Sequence, residues 1–249
     1  MKKNIFKNYS LRQHRKIFGN TLEFIRFLEK YLDLNNKNLI DLPCGGGANT
    51  IYLAEKYPQS SFLGIDYDRN LIKLGNKYKK NLSNINFKID NWENINLYKN
   101  FMYRNKDKNI KLQKTIGGGG GIICFQTLSC LEMQLDEILK NFKKKNFPFI
   151  AFNSLFYEGK CNYRIYAKDF SQASEFKEGW YNIYSIHTMK NILIKKGYKN
   201  FKFKKFDIQY DLPKPKHSGM QSYTIKNNNG KRIIFSGALH IPYGFFLAY

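Results

Sequence analysis

The stretch that most narrows the possible folds is "LIDLPCGGGANTIYLAEKY", residues 39–57. A short apolar run passes through Asp41, glycines at positions 45–47 make a turn without side chains, and apolar residues then return at helical spacing. A strand that turns through glycine into a helix needs further strands to bury it, and these follow. "SFLGID" (61–66) and "INFKID" (85–90) read as strands, with "NLIKLGNKYKKN" (70–81) as a helix between them. Strands alternating with helices of this length give βαβ units and a parallel sheet, the α/β class.

The pattern extends in both directions. Phe18, Leu22, Ile25, Leu28 and Leu32 recur at steps of three and four and predict an amphipathic helix. After residues 96–121, which are polar, aperiodic and read as an exposed loop, "IICF" (122–125) restores a strand. "CLEMQLDEILKNFKK" (130–144) predicts a helix, "FPFIAFNSLF" (147–156) a fifth strand, and residues 186–197 a helix ending at Gly197. Beyond it the chain is β-rich, and "NNNGKR" ahead of "IIFSGAL" signals a hairpin. With no internal repeat and no linker, the 249 residues read as one domain.

The net charge of +23 would ordinarily suggest a nucleic-acid partner. Here the excess is scattered Lys accompanied by many Asn, Ile, Tyr and Phe, residues that share A/T-rich codons, so the charge reads as genome composition and no nucleic-acid partner is expected. Cys44, Cys124, Cys130 and Cys161 form no CxxC pair and no zinc spacing, so no metal is expected. The basic start lacks an apolar h-region and no segment is long and apolar enough to span a membrane, so the reading is a soluble cytoplasmic chain.

Three successive strand ends carry chemistry. The turn at Gly45 and Gly47 lets backbone approach a ligand closely beyond the first strand. A dinucleotide fingerprint would need a third glycine at position 50, which is Thr50, so that reading fails. Asp66 closes the second strand, where a carboxylate can take both hydroxyls of a ribose. Asp90, with Asn91 and Trp92, closes the third, where an adenine could be hydrogen-bonded and flanked by an aromatic. A tight turn plus ordinary strand-end acids is the plain alternative, but three such ends in register favour a nucleoside site.

With these residues the chain resembles the class I S-adenosylmethionine-dependent methyltransferases. "DLPCGGGAN" is similar to their first motif, with Pro43 where a glycine is common. The resemblance implies a Rossmann-like three-layer α/β/α sandwich with a seven-stranded, mostly parallel sheet whose last strand is antiparallel, plus a small β-rich insertion. It implies S-adenosylmethionine as cofactor. Gly45 and Gly47, with Asp41 and Cys44 around them, would meet the methionine part, Asp66 and Tyr67 the ribose end, and Asp90, Asn91 and Trp92 the adenine. The single domain would then comprise a helical cover (1–36), a cofactor half (38–155) and a substrate-side half (156–249) with a β-rich cap at about 207–235. The tail is similar to a bacterial subfamily associated with surface-polysaccharide genes, in "DLPKP", "GMQSYT" and the "SGAL" ending.

In this architecture the carboxyl end of "IICFQ" faces the transferred methyl, and Gln126 either orients the acceptor or lines the cofactor. Gln126-Thr127-Leu128-Ser129 also lacks the Pro-Pro-aromatic segment of DNA-base N-methylases. The run Gly117–Gly121 precedes that strand, at the opposite pole, and lacks the Gly-Lys-[Ser/Thr] ending of a phosphate loop, so it reads as a pliable connection and not the active site. His14 and His217 are candidate bases or plain surface histidines. Arg12, Arg15, His217 and Tyr223 lie in the segments most able to cover the crevice, as a substrate cap or, around Tyr223, a plain hairpin. Arg pairs suit phosphate oxygens. The acceptor expected is a small anionic or nucleotide-activated molecule, methylated on oxygen, such as a phosphate or phosphoramidate. The alternatives are a nucleic-acid methyltransferase or RNA-binding protein, favoured by the charge, and a non-catalytic relative of the fold that binds the cofactor or nothing.

Overall fold

A computed structural model describes residues 10–103, 119–131, 134–168, 170, 178–206, 210–214, 222–236, 239–240 and 243–249. The strands on either side of the first glycine cluster lie next to one another. β1 (Asn38–Asp41) pairs parallel with β2 (Ser61–Asp66), and β2 with β3 (Ile85–Ile89). On the other flank of β1 come β4 (Gly121–Phe125) and β5 (Phe149–Tyr157), also parallel. The sheet runs β3-β2-β1-β4-β5 and is completed by β12 (Tyr243–Ala248) and then β8 (Phe201–Lys205). β12 is antiparallel to both its neighbours. This is the Rossmann-like sheet expected, with its last strand reversed.

Side chains alternate across the strands and sort the core into two layers. One holds Leu39, Phe62, Ile123, Phe149, Ala151 and Phe245. It is covered by α1 (Gly19–Glu29) through Phe24, Ile25 and Leu28, and by α2 (Ala48–Lys56) through Ile51, Leu53 and Ala54. The other holds Ile40, Leu63, Ile122, Cys124, Ile150, Phe152 and Phe246 against α5 (Ile186–Lys195). α3 (Arg69–Tyr78) follows β2 and buries Leu71 and Ile72. Among the described residues no helix is long and apolar enough to cross a membrane.

Three stretches differ from expectation, and a fourth, the β-rich insertion, agrees with it. The predicted helix at 130–144 contracts to α4 (Leu135–Ile138), preceded by a 3₁₀ turn at Thr127–Cys130. Lys140 and Phe142 bond three residues back, to Glu137 and Leu139, so the ladder tightens and gives out while Phe142 and Phe147 are buried. The predicted loop begins instead as a 3₁₀ helix, Trp92–Tyr103, because Ile95 and Met102 reach the core. Residues 104–118, the rest of that loop, lie outside the described residues. β6 (Tyr163–Lys168) and β7 (Glu178–Ser185) form an unpredicted antiparallel hairpin, and β7 runs beside the end of β5. The C-terminal insertion contains a separate sheet, β9 (Ser222–Lys226), β10 (Arg232–Ser236) and β11 (Leu239–His240). Its β9–β10 turn is the predicted "NNNG", with Asn227 accepting from the Asn229 and Lys231 amides.

The second glycine run is close-packed where it is described. A Cβ on Gly120 would sit 1.9 Å from the Asn38 carbonyl oxygen, and one on Gly121 2.6 Å from the Phe149 ring. Gly121 opens β4 at the amino end of the strand, away from the crevice.

Candidate cofactor site

Asp41 ends β1 and is almost wholly buried, at 3% exposure. Its Oδ2 accepts from Thr50 Oγ1 at 2.5 Å, while Oδ1 is buried with no partner among the described residues. Burial pushes its carboxyl up to about 8, with the nearby Asp66 charge adding to the rise against the Thr50 bond. The chain then crosses to β2, where the Cys44 amide donates to the Ile65 carbonyl at 2.8 Å. Gly45 and Gly47 take left-handed conformations, φ 56° and 80°, and α2 starts immediately after. A side chain at Gly47 would strike the Phe87 ring at 2.5 Å. At Gly45, among the described residues, only Ser10 Oγ, 4.0 Å away, comes near, so this side of the turn has room for a ligand.

Asp66 ties the second strand end to the turn. Its Oδ2 accepts from the Gly45 amide at 2.8 Å and its Oδ1 from the Asp68 amide at 3.0 Å. Burial raises its carboxyl above the ordinary value. Each oxygen retains a lone pair beyond these bonds. Asp90 is linked in turn, its amide donating to the Asp66 carbonyl at 3.0 Å. Burial alone would raise Asp90, but bonds from Tyr98 at 2.6 Å, Asn94 at 2.7 Å and the Asn91 amide at 2.9 Å hold it below the usual range. Asn91 Oδ1 accepts from the Glu93 and Asn94 amides and so starts the 3₁₀ helix. Trp92, the aromatic expected beside an adenine, points instead into the core, 5.5 Å from Phe142, whereas Tyr67 stands 74% exposed.

At the end of β4, Gln126 takes a left-handed conformation (φ 62°) that turns the chain into Thr127–Cys130. Its amide donates to the Asn153 carbonyl at 2.9 Å and its carbonyl accepts from Ser129 Oγ at 2.9 Å.

The N-terminal segment closes on the glycine turn. Residues 10–15 are helical, Ser10 lies against Gly46, and His14 Nε2–H donates to the Gly46 carbonyl at 2.7 Å. The imidazole stacks on Tyr78 at 4.2 Å, and its burial lowers the pKa. Arg12 and Arg15 are exposed on the same segment. The structure thus brings Asp41, Cys44, Gly45, Gly47, Asp66 and His14 into one cluster. Tyr223 packs elsewhere, 5.7 Å from Phe235 in the separate sheet with Lys214 Nζ over its ring at 5.9 Å. His217 lies outside the described residues. Sequence reasoning missed Ser10 and Thr50. The latter had a signal, since the residue that breaks the dinucleotide spacing is the partner of Asp41.

A buried acid with an unsatisfied oxygen, a bare glycine turn and a second acid bonded to that turn suit a nucleoside with an amino-acid tail. Residues 33–154 match the family described as "Methyltransferase domain". Over these residues the chain carries a methyltransferase domain. It is 33% identical over 75 residues to a protein of Invertebrate iridescent virus 6 provisionally named methyltransferase 235L, covering 30% of this chain and 27% of that one. It is 26% identical over 142 residues to the uncharacterized protein RP028 of Rickettsia prowazekii (strain Madrid E), covering 53% and 51%. The chain therefore spans about half or less of the length of these relatives. A Listeria monocytogenes structure provisionally described as an S-adenosylmethionine-dependent methyltransferase aligns over 90% of this chain and 97% of its own, at 13% identity and a TM-score of 0.48. The cluster at Asp41, Gly45 and Asp66 lies within the matched residues.

Proposed function

We propose that the protein O-methylates a small anionic acceptor, a nucleotide-activated precursor of bacterial surface polysaccharide, at an oxygen that already carries negative charge, as in a phosphate or phosphoramidate. The observation that carries the cofactor half of this reading is the unpartnered Oδ1 of Asp41 beside the open side of Gly45. Asp41 and the glycine turn would hold the methionine part, with Asp41 suited to its ammonium. Asp66 would take the ribose hydroxyls, Asp90 and Asn91 the adenine edge, and Tyr67 its face. The bound cofactor supplies a sulfonium methyl whose leaving group departs as a neutral thioether.

The acceptor half is supported by charge and by the tail's resemblance. Arg12 and Arg15 are exposed on the segment whose His14 is fastened to the glycine turn, which suits them to recruit an anion beside the cofactor. Gln126, at the carboxyl end of β4, would orient the acceptor. An anionic oxygen needs no proton removed, which leaves His14 as a strut for the turn.

The test combines labelled cofactor with nucleotide-activated sugars and sugar phosphates. Arg12→Ala with Arg15→Ala should raise the acceptor KM while leaving cofactor affinity nearly intact. His14→Ala should cost far less than the ~10²–10⁴-fold expected of a general base. A single-histidine variant that loses that whole factor would assign a hydroxyl or amine acceptor instead.

A further inference from the structure

The outer half of the β6–β7 hairpin carries an aromatic and basic face that neither the cofactor cluster nor the core uses. Along β7, alternate residues share a face, and from the inner end outward these are Tyr184, Asn182, Trp180 and Glu178. The inner two are fixed to the corner that follows β4. Tyr184 donates its hydroxyl proton to the Leu128 carbonyl at 2.9 Å, and Asn182 Nδ2 donates to the Leu131 carbonyl. Both are about 3% exposed, whereas Trp180, next on the same face, is 37% exposed. Opposite them on β6 stand Arg164, Tyr166 and Lys168, in the register Arg164↔Asn182, Tyr166↔Trp180 and Lys168↔Glu178.

The two rings pair across the strands at 4.8 Å, and the Arg164 guanidinium lies 5.9 Å from the Trp180 ring. Asn182 accepts from Arg164 Nε at 2.8 Å, so the carboxamide that anchors the hairpin to the corner also sets the guanidinium. At the outer end Tyr166 donates to Glu178. A two-stranded ribbon gains little by displaying Trp and Tyr to water, whereas rings beside a guanidinium match a planar base linked to phosphate.

We propose that this face binds the nucleotide portion of the acceptor, with the base stacked on Trp180 and Tyr166 and the diphosphate on Arg164. This rests on the reading that the acceptor is nucleotide-activated and deepens it. The nucleotide would lie on the hairpin while the group to be methylated extends past Leu131 and Leu128 toward the end of β4. Lys168 adds attraction for an anion, against the carboxylate of Glu178 opposite it.

The test is calorimetric titration of the full chain, saturated with S-adenosylhomocysteine, with UDP, GDP, CDP and ADP. At least one should bind and should quench the fluorescence of Trp180, the more exposed of the two tryptophans. Trp180→Ala and Arg164→Ala should each weaken that binding about ten-fold, while Trp180→Phe largely restores it. Thermal melting and S-adenosylhomocysteine affinity should stay unchanged in all three, which separates loss of the site from loss of the fold. The proposal is overturned if no nucleoside diphosphate binds, if binding survives both alanine variants, or if a free sugar or single-stranded RNA binds as tightly as the nucleotides. Failure of S-adenosylhomocysteine to bind would strike the cofactor reading instead, and the nucleotide titration would then decide this site alone.

Discussion

At the carboxyl ends of β1 and β2, two carboxylates are buried and held by short bonds from Thr50, Gly45 and Asp68. On the β6–β7 hairpin the polarity is inverted, with Tyr163, Tyr166 and Trp180 turned partly to water. The first region buries two acids, whose desolvation raises both carboxyls and is offset in part by those bonds. The second leaves apolar area exposed, which only a covering ligand would bury. On the proposed reading the contrast divides the labour: the crevice would be rigidly built for one invariant molecule, and the hairpin would be a shelf whose stability does not depend on what it carries.

If that division holds, substitutions in the two regions should differ sharply. The largest effect should come from Gly47→Val. A β-branched residue at φ 80°, with its Cβ 2.5 Å from the Phe87 ring, should cost about 4 kcal/mol from strain and clash together. Denaturant melts would show it, and a loss under about 1 kcal/mol would mean that the turn is not rigid.

Next comes the glycine run, which contains the contrast in miniature. Gly121→Ala should cost about 1–3 kcal/mol by overpacking against Phe149. Deleting Gly117 and Gly118 should cost about 0.5 kcal/mol or less, because loop closure depends weakly on length. Equal losses in the two variants would contradict the reading of Gly117 and Gly118 as a connection.

The electrostatic prediction concerns pH. Asp41, pushed up to about 8, is protonated in the ligand-free protein at neutrality. A raised acid contributes stability in full below its unfolded value of 3.8 and loses it as the pH climbs from there to about 8. A ligand ammonium beside Asp41 would favour the ionised form, so S-adenosylhomocysteine binding near pH 7 should release up to about one proton. Calorimetry in buffers of different ionisation enthalpy measures this directly. No proton release would place the ammonium away from Asp41. His14 adds an opposite dependence: its lowered pKa means that its contribution, whole above 6.5, declines as the pH falls below that value. The smallest effect should be Tyr163→Ser on the hairpin, within about 0.5 kcal/mol in the same melts. A loss several times larger would make the hairpin part of the core.

The contrast also explains what could be read from the chain. β1, β2 and α2 were legible because apolar strand residues, a glycine turn and helical spacing agree locally. Asp41 and Asp66 were legible as strand ends. Ser10 and His14 were not seen as glycine-turn partners, since their contacts with Gly46 cross more than thirty residues of sequence. Trp92 sits where an adenine-flanking ring was expected, but the 3₁₀ helix that begins there turns it inward. The hairpin was invisible because β6 buries none of its side chains, so no core-facing alternation marks it.

The central claim is that Asp66 and the glycine turn hold S-adenosylmethionine, and calorimetry with S-adenosylhomocysteine tests it most directly. The wild-type protein should bind, and Asp66→Ala should weaken binding by about 1.5–3 kcal/mol, the cost typical of losing charge-assisted hydrogen bonds. Asp66→Asn, which can still accept from the Gly45 amide, should retain the fold and so separate loss of the ribose contact from loss of the turn. Absent binding in the wild type, or equal affinity in all three proteins, would contradict the account.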